Sequence, residues 1–289
     1  CEAMTMAGLE VEEVSSVAPA FTGVVVAKVL SVKDHENSDH LHICQVDVGD
    51  GGEPLQIVCG APNVREGILV PCAKIGAVLP GNFTIKKAKM RGEVSMGMLC
   101  SARELGITED HTGLWILPDN LTVGEDIRKA CHLDDKKIEI KLTPNRGDAL
   151  SLIGVARDLH AITGAPLTLP EMPEVPANSE TKIDIKIEAP DLCGRYTTRR
   201  IDHLNIHAPT PQWMKDRLER SGQRSISALV DISNYVMLET GVPTHFSDAQ
   251  KIAGGCYTVR WGKEGEKITL LNGQTVDVDP GFGVICDAN

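Results

Sequence analysis

Residues 24–49, VVVAKVLSVKDHENSDHLHICQVDVG, hold two β-branched runs on either side of a polar, turn-forming break. Side chains branched at Cβ have few rotamers to lose on a pleated surface. GVVVAKVLSV (23–32) and LHICQVDVG (41–49) therefore predict strands. The pattern continues in LQIVCGA (55–61) and ILVPCAKIGAVLP (68–80), with Gly, Pro, Asn and Asp punctuating the runs. Short strands at this spacing predict a small closed β-barrel over residues 19–133. Within it, SARELGI (101–107) reads as a brief helix and GLWILPDNLTVGEDI (113–127) as a last strand and turn.

Different text lies on either side. Residues 1–18 open on a helix-like pattern, AMTMAGLEVEEV (3–14), and close on apolar and acidic residues in alternation. After the barrel, Lys137–Leu142 predicts a strand, Pro144 a turn and Leu150–Thr163 a helix. Leu152, Val155, Ala156, Leu159 and Ile162 recur there at helical spacing, and Gly164 is the stop. PEMPEVPANSET (170–181) reads as a linker. Beyond it, strands are expected in KIDIKIEA (182–189), RYTTRRID (195–202), CYTVRWG (256–262), KITLL (267–271) and TVDV (275–278). Helices are expected in PTPQWMKDRLERSG (209–222) and RSISALVDISNYVMLETG (224–241). No internal repeat is present. The first residue is Cys1 rather than Met, and Asn289 follows the strand-like FGVICDA (282–288), so both ends read as cut.

The 289 residues suffice for two or three domains. With 42% hydrophobic and 24% charged residues the chain reads as an ordinary globular protein. A net charge of -11 and a pI near 5.3 exclude a protein that coats nucleic acid nonspecifically, because the long-range field repels phosphate. The nine cysteines form no C-x-x-C pair, and most sit in apolar runs, which predicts free buried thiols in a reducing cytoplasm. No 18-residue apolar span or signal peptide is present, so no membrane partner is expected. There is no G-x-x-x-x-G-K-[ST] loop, and GDGGE (49–53) reads as a turn rather than a phosphate cradle.

Against that acidic background, Lys86, Lys87, Lys89 and Arg91 fall within six positions. Such a cluster fits a local phosphate-binding handle, and it also fits a solvated barrel edge guarded by lysines. With only 3% aromatic residues, phosphate and shape contacts are better supplied than base stacking. His35, His40 and His42 stand beside Asp34, Glu36 and Asp39, but nothing in the spacing fixes a ligand geometry, and no metal site is assigned.

Residues 24–49, QIVCGAPNVREG (56–67), PCAKIGAVLP (71–80), IKKAKMRGEVSMGMLCSARELG (85–106) and GLWILP (113–118), in that order, resemble the EMAP-type tRNA-binding OB domain. MTMAGLEVEEV (4–14) and LTPNRGDALSLIGVARDLHAITG (142–164) resemble the two halves of the discontinuous first domain of bacterial phenylalanyl-tRNA synthetase beta chains. APTPQWMKDRLERSGQRSISALVDISNYVMLETGVPTHFSD (208–248) resembles the start of their B3/B4 domain. The resemblance implies an α+β multidomain chain. Residues 1–18 and 134–185 would form one discontinuous α+β domain, with the OB barrel of residues 19–133 inserted into it. Residues 186–289 would be the N-terminal part of a truncated B3/B4 domain.

The resemblance further implies tRNA(Phe) binding and hydrolysis of mischarged Tyr-tRNA(Phe). Aminoacylation would belong to the alpha subunit of a heterotetramer of two alpha and two beta chains. ATP and Mg2+ serve that complete cytoplasmic enzyme, and no cofactor is assigned to this segment. Carried over by position, the editing pocket draws on Arg224, Ser233, Asn234 and His245, and the barrel's tRNA contacts on Lys86, Lys87, Lys89 and Arg91. Two positions depart from the family pattern. His245-Phe246-Ser247-Asp248 stands where HAFD is usual, and Ser233 replaces a commoner threonine while keeping its hydroxyl. The glycine, alanine and glutamate that complete the pocket would lie beyond Asn289, so this piece alone is expected to edit poorly. The alternative is a stand-alone tRNA-binding or chaperone-like OB module, which leaves residues 187–289 without a role.

Overall fold

Strand β2 (Thr22–Asp34) is buried on both faces along its centre, and the period of two decides which core each side chain joins. Val24 and Val26 pack with Phe21, Ala73, Leu79, Leu105, Ile127 and Leu133. Val25, Ala27 and Val29 pack with Cys44, Val46, Ile57, Val70, Cys72 and Leu99. Each fully buried valine contributes about 1.5–3 kcal/mol relative to exposure. A strand loaded on both faces has no free side to slip to, which fixes its register.

The computed structural model describes residues 1–108, 112–270 and 272–288. It divides into two units, residues 1–145 with 220–222 and residues 146–219 with 223–289.

In the first unit, α1 (Glu2–Met6) precedes β1 (Glu10–Ser16) and β2. There follow β3 (His42–Asp47), β4 (Leu55–Cys59), β5 (Leu69–Leu79), β6 (Phe83–Thr84), β7 (Ala88–Met90), β8 (Glu93–Ser95) and β9 (Gly97–Leu99). The unit ends in α2 (Ile127–Ala130) and β10 (Lys136–Lys141). The main sheet runs β4-β3-β2-β5-β6, and β9 also pairs with β5. Its far edge, β4, comes round to meet the residues just before β9: Met96 N–H donates to Gln56 O at 2.9 Å, and Val58 N–H to Ser95 Oγ at 3.0 Å. The sheet is therefore a nearly closed barrel. Inside it, burial pushes the Cys44 and Cys72 thiols up to about 12, so both stay protonated and act as small apolar fillers.

Outside the barrel sheet, β1 pairs antiparallel with β10, from Glu10 opposite Lys141 to Ser16 opposite Lys136. Lys141 Nζ lies 3.2 Å from Glu12, and Lys136 Nζ donates to Ser16 Oγ at 2.8 Å. The segments before and after the barrel thus lie side by side.

Gly49, just after β3, marks a close backbone approach. A Cβ there would fall 2.5 Å from Gly124 Cα and 2.5 Å from Val123 O, and its φ is +73°. The 123–126 segment is itself sewn to β2, through Gly124 N–H to Val26 O and Val26 N–H to Glu125 O, both at 2.8 Å. Gly49→Ala is expected to cost about 2–3 kcal/mol, from left-handed backbone strain plus the clash, read as a lowered midpoint in urea unfolding.

The second unit holds α3 (Leu152–Thr163), β11 (Asp184–Ile187), α4 (Gln212–Arg220), α5 (Ala228–Thr240), β12 (Cys256–Trp261), β13 (Lys267–Thr269), β14 (Thr275–Asp277) and β15 (Gly283–Cys286). Ser151 caps α3, its Oγ accepting Gly154 N–H at 3.0 Å, and Gly164 ends the helix at φ +70°. Arg146 grips Asp148 through two nitrogens, at 3.0 and 3.1 Å, and also bonds Asp158 of α3, which fastens the residues just before the helix to it. β12 pairs parallel with β11 and antiparallel with β15, β13 pairs with β14, and α3 packs on α5.

Three expected elements are absent among the described residues. Residues 195–202 form no strand, since no edge meets their backbone groups and Arg200 bonds locally to Asp202. Residues 101–107 form turns: Ser101 and Glu104 make reciprocal capping bonds, but Gly106 at φ +66° stops the helix before it propagates. Residues 113–127 make only two isolated bridges, Leu69 with Leu117 and Val25 with Asp126, before α2.

Candidate functional sites

The basic run forms a hairpin rather than a loop. Met90 pairs with Glu93 across the two-residue turn Arg91-Gly92, whose φ values of +46° and +105° match the left-handed turn that strand twist favours. Pairing puts Ala88 with Ser95 and Met90 with Glu93 on one face, and Lys89 with Val94 on the other. The first face leans on β4, where Gln56 Nε2 donates to Glu93 Oε2 at 3.1 Å and to Val94 O at 3.0 Å. Lys86, Lys87 and Lys89 are exposed, and among the described residues none of the three forms an ion pair. Arg91 is exposed too, but its Nη1 donates to Asn37 O at 3.0 Å, so it doubles as a tether to the 35–41 loop.

That loop holds a residue whose function the sequence concealed. His35 is only 4% exposed. Its Nδ1 accepts Asn37 N–H at 3.0 Å, which leaves Nε2 to carry the proton and donate to Met90 O at 3.2 Å. Both ring nitrogens are thus engaged in hydrogen bonds.

A second group of residues gathers on α5. Ser233 Oγ donates to Thr244 O, and Thr244 Oγ1 donates to Ser233 Oγ at 3.1 Å. These bonds pin the 242–248 loop to the helix one residue before His245, so Ser233 and the start of the His245 loop do come together. Asn234 follows on the helix, half-buried, while His245 is exposed. Among the described residues neither side chain has a hydrogen bond, which leaves both available to a ligand. Arg224 lies before the helix, exposed, and no hydrogen bond joins it to Ser233 or Thr244. Asn234 is about 9 Å along the axis from the helix start. Just beyond His245, a cleft of about 330 Å³ is lined by Ser247, Asp248, Lys251, Tyr257 and Asp287.

Asp231 organises this helix entry and was not foreseen. Its side chain is 0% exposed. Burial pushes the carboxyl upward, but bonds from Thr210 Oγ1, Ser225 Oγ (2.7 Å) and Ile226 N–H (2.9 Å) outweigh it and hold the group below the ordinary carboxylate value. In sequence it looks like any polar residue in a first helical turn.

Among known proteins, the chain is 59% identical over 290 residues to the "Phenylalanine--tRNA ligase beta subunit" of Cupriavidus pinatubonensis, covering 98% of this chain and 35% of that one. It is 58% identical over 289 residues to the same subunit of Ralstonia nicotianae, covering 98% and 36%. Along nearly its whole length the chain is similar to phenylalanine–tRNA ligase beta subunits. It spans about a third of the length of these curated relatives. Two family models match within it, a "Putative tRNA binding domain" at residues 24–126 and a "B3/4 domain" at residues 192–289. The basic hairpin falls in the first match, and the α5 group in the second. Among solved structures, the "MetRS related protein from Pyrococcus horikoshii" aligns with 36% of this chain and 87% of that one, at 23% identity and a TM-score of 0.27. No helix among the described residues is long and apolar enough to cross a membrane.

Proposed function

We propose that this chain is part of the beta subunit of a phenylalanine–tRNA ligase and contributes tRNA binding and hydrolytic editing of mischarged Tyr-tRNA(Phe). The observation that carries the reading is the family match across 98% of the chain, with a tRNA-binding segment and a B3/4 segment in one polypeptide. A stand-alone tRNA-binding module would not account for the second segment. The working partners are tRNA(Phe) and an alpha subunit, in a cytoplasmic heterotetramer of two alpha and two beta chains. Aminoacylation, with its ATP and Mg2+, is the alpha subunit's part, and no residue here is assigned to either. The pairing of β1 with β10 supports an OB barrel inserted between halves of one α+β domain, and the match at residues 192–289 supports a B3/B4 domain following.

In this reading the hairpin of residues 88–95 and the residues leading into it present Lys86, Lys87, Lys89 and Arg91 to tRNA phosphates as a local electropositive handle. Asn234 on α5 and His245 in the loop tied to it order the attacking water or the substrate amine. The Ser233–Thr244 bonds hold their spacing, and Arg224 clamps a phosphate near the tRNA 3′ end. Discrimination against phenylalanine needs a polar group that tests the tyrosine hydroxyl.

Charge reversal at Lys87 and Lys89 is expected to weaken tRNA(Phe) binding by the complete enzyme. It should also flatten the dependence of log K on log salt by about 1 per lost phosphate contact. An unchanged slope would leave the lysines as a solvated barrel edge.

A further inference from the structure

We propose that His35 is a positioning residue for tRNA binding. It latches the tip of the basic hairpin to the barrel, and the inference rests on the reading of that hairpin given above. The hairpin is held on both strands. Its return strand β8 is joined to β4, by Ser95 at the base and by Gln56 at Val94 and Glu93. At its tip, the His35 ring donates to the carbonyl of Met90, the residue between Lys89 and Arg91, and Arg91 reaches back to Asn37 O.

A ribbon with only three cross-strand pairs is marginal by itself, and clustered lysines repel one another, so β7, which the bonds to β4 do not reach, frays unless something outside it holds it. His35 is built for that task. Its own N–H donates to Leu41 O at 3.0 Å and its O accepts Ser38 N–H at 3.2 Å, which closes the loop around a buried ring. The Asn37 N–H on Nδ1 fixes the tautomer, so Nε2–H is always the group offered to Met90. The ring touches no nucleic acid. It acts by holding Lys89 and Arg91 in a set geometry before tRNA arrives, which removes an ordering cost from binding.

Two conservative variants separate the latch from the loop. His35→Gln keeps an amide N–H near the position of Nε2 and retains the bond to Met90. His35→Asn keeps an acceptor near Nδ1 for Asn37 N–H but is too short to reach the hairpin. Binding of tRNA(Phe) transcript to the complete enzyme is measured across a salt series, with thermal midpoints alongside and Lys87→Glu/Lys89→Glu as the reference. His35→Asn is expected to bind about fivefold more weakly, one hydrogen bond's worth, with the salt slope reduced by about 1, while His35→Gln stays near wild type. If the lysine pair flattens the slope and His35→Asn does not, the latch is refuted and the hairpin reading stands. If both His35 variants lower the thermal midpoint equally at an unaltered slope, the histidine only supports the loop and the proposal fails. If the lysine pair itself leaves the slope unaltered, the hairpin reading falls and takes the latch with it.

Discussion

Replacing Asp231 with alanine is expected to destabilise the second unit by about 3–5 kcal/mol, a large share of a typical domain's stability. The carboxylate is fully buried and receives three hydrogen bonds, from Thr210, Ser225 and the backbone of Ile226. Truncation leaves a cavity and strands the Ile226 N–H, although the two hydroxyls can turn toward other acceptors. Asp231→Asn keeps the shape and an oxygen for Ile226, and both hydroxyls can present lone pairs to its amide, so about 1 kcal/mol is expected. Because the folded carboxyl titrates below its unfolded value, its contribution is fully present above about pH 4. It is lost as the pH falls through the folded value. Chemical denaturation at pH 7 and at pH 3 checks both points: the difference between wild type and Asp231→Asn should be the smaller at pH 3.

How much of this was readable beforehand depends on the range of the interaction. The β-branched run Val24–Val32 is local, so the strand follows from the residues, whereas its two buried faces and its pairing with β5 do not. Gly164 likewise announces the end of α3. Residues 195–202 carry the right composition for a strand, but a strand needs a neighbouring edge, and composition does not supply one. The pairing of Ser16 with Lys136 spans 120 residues, and no local pattern encodes it. In the hairpin, Gly92 suits a positive φ, whereas Arg91 at +46° does not announce itself. The four cations were legible as a cluster, but their anchors were not. His35 read as one histidine among three beside acidic residues, and only its two hydrogen-bond partners give it a task. Asp231 was hidden for the same reason.

The second large effect concerns His245. Its imidazole is exposed, and the neighbouring Thr244 is tied to Ser233 on α5, so the loop carrying it has one fixed point beside Asn234. A positioned imidazole that orders water against an aminoacyl ester typically contributes about 100-fold or more to hydrolysis. Removing the ring leaves the loop tether intact, because Ser233 and Thr244 make their bonds without it. Loss of the Ser233 hydroxyl should act differently, by loosening the loop rather than deleting the reacting group.

The most direct test of the account is hydrolysis of Tyr-tRNA(Phe) by the complete enzyme, with and without His245→Ala. A decrease of about 100-fold is predicted. Equal rates for the two enzymes would contradict the account.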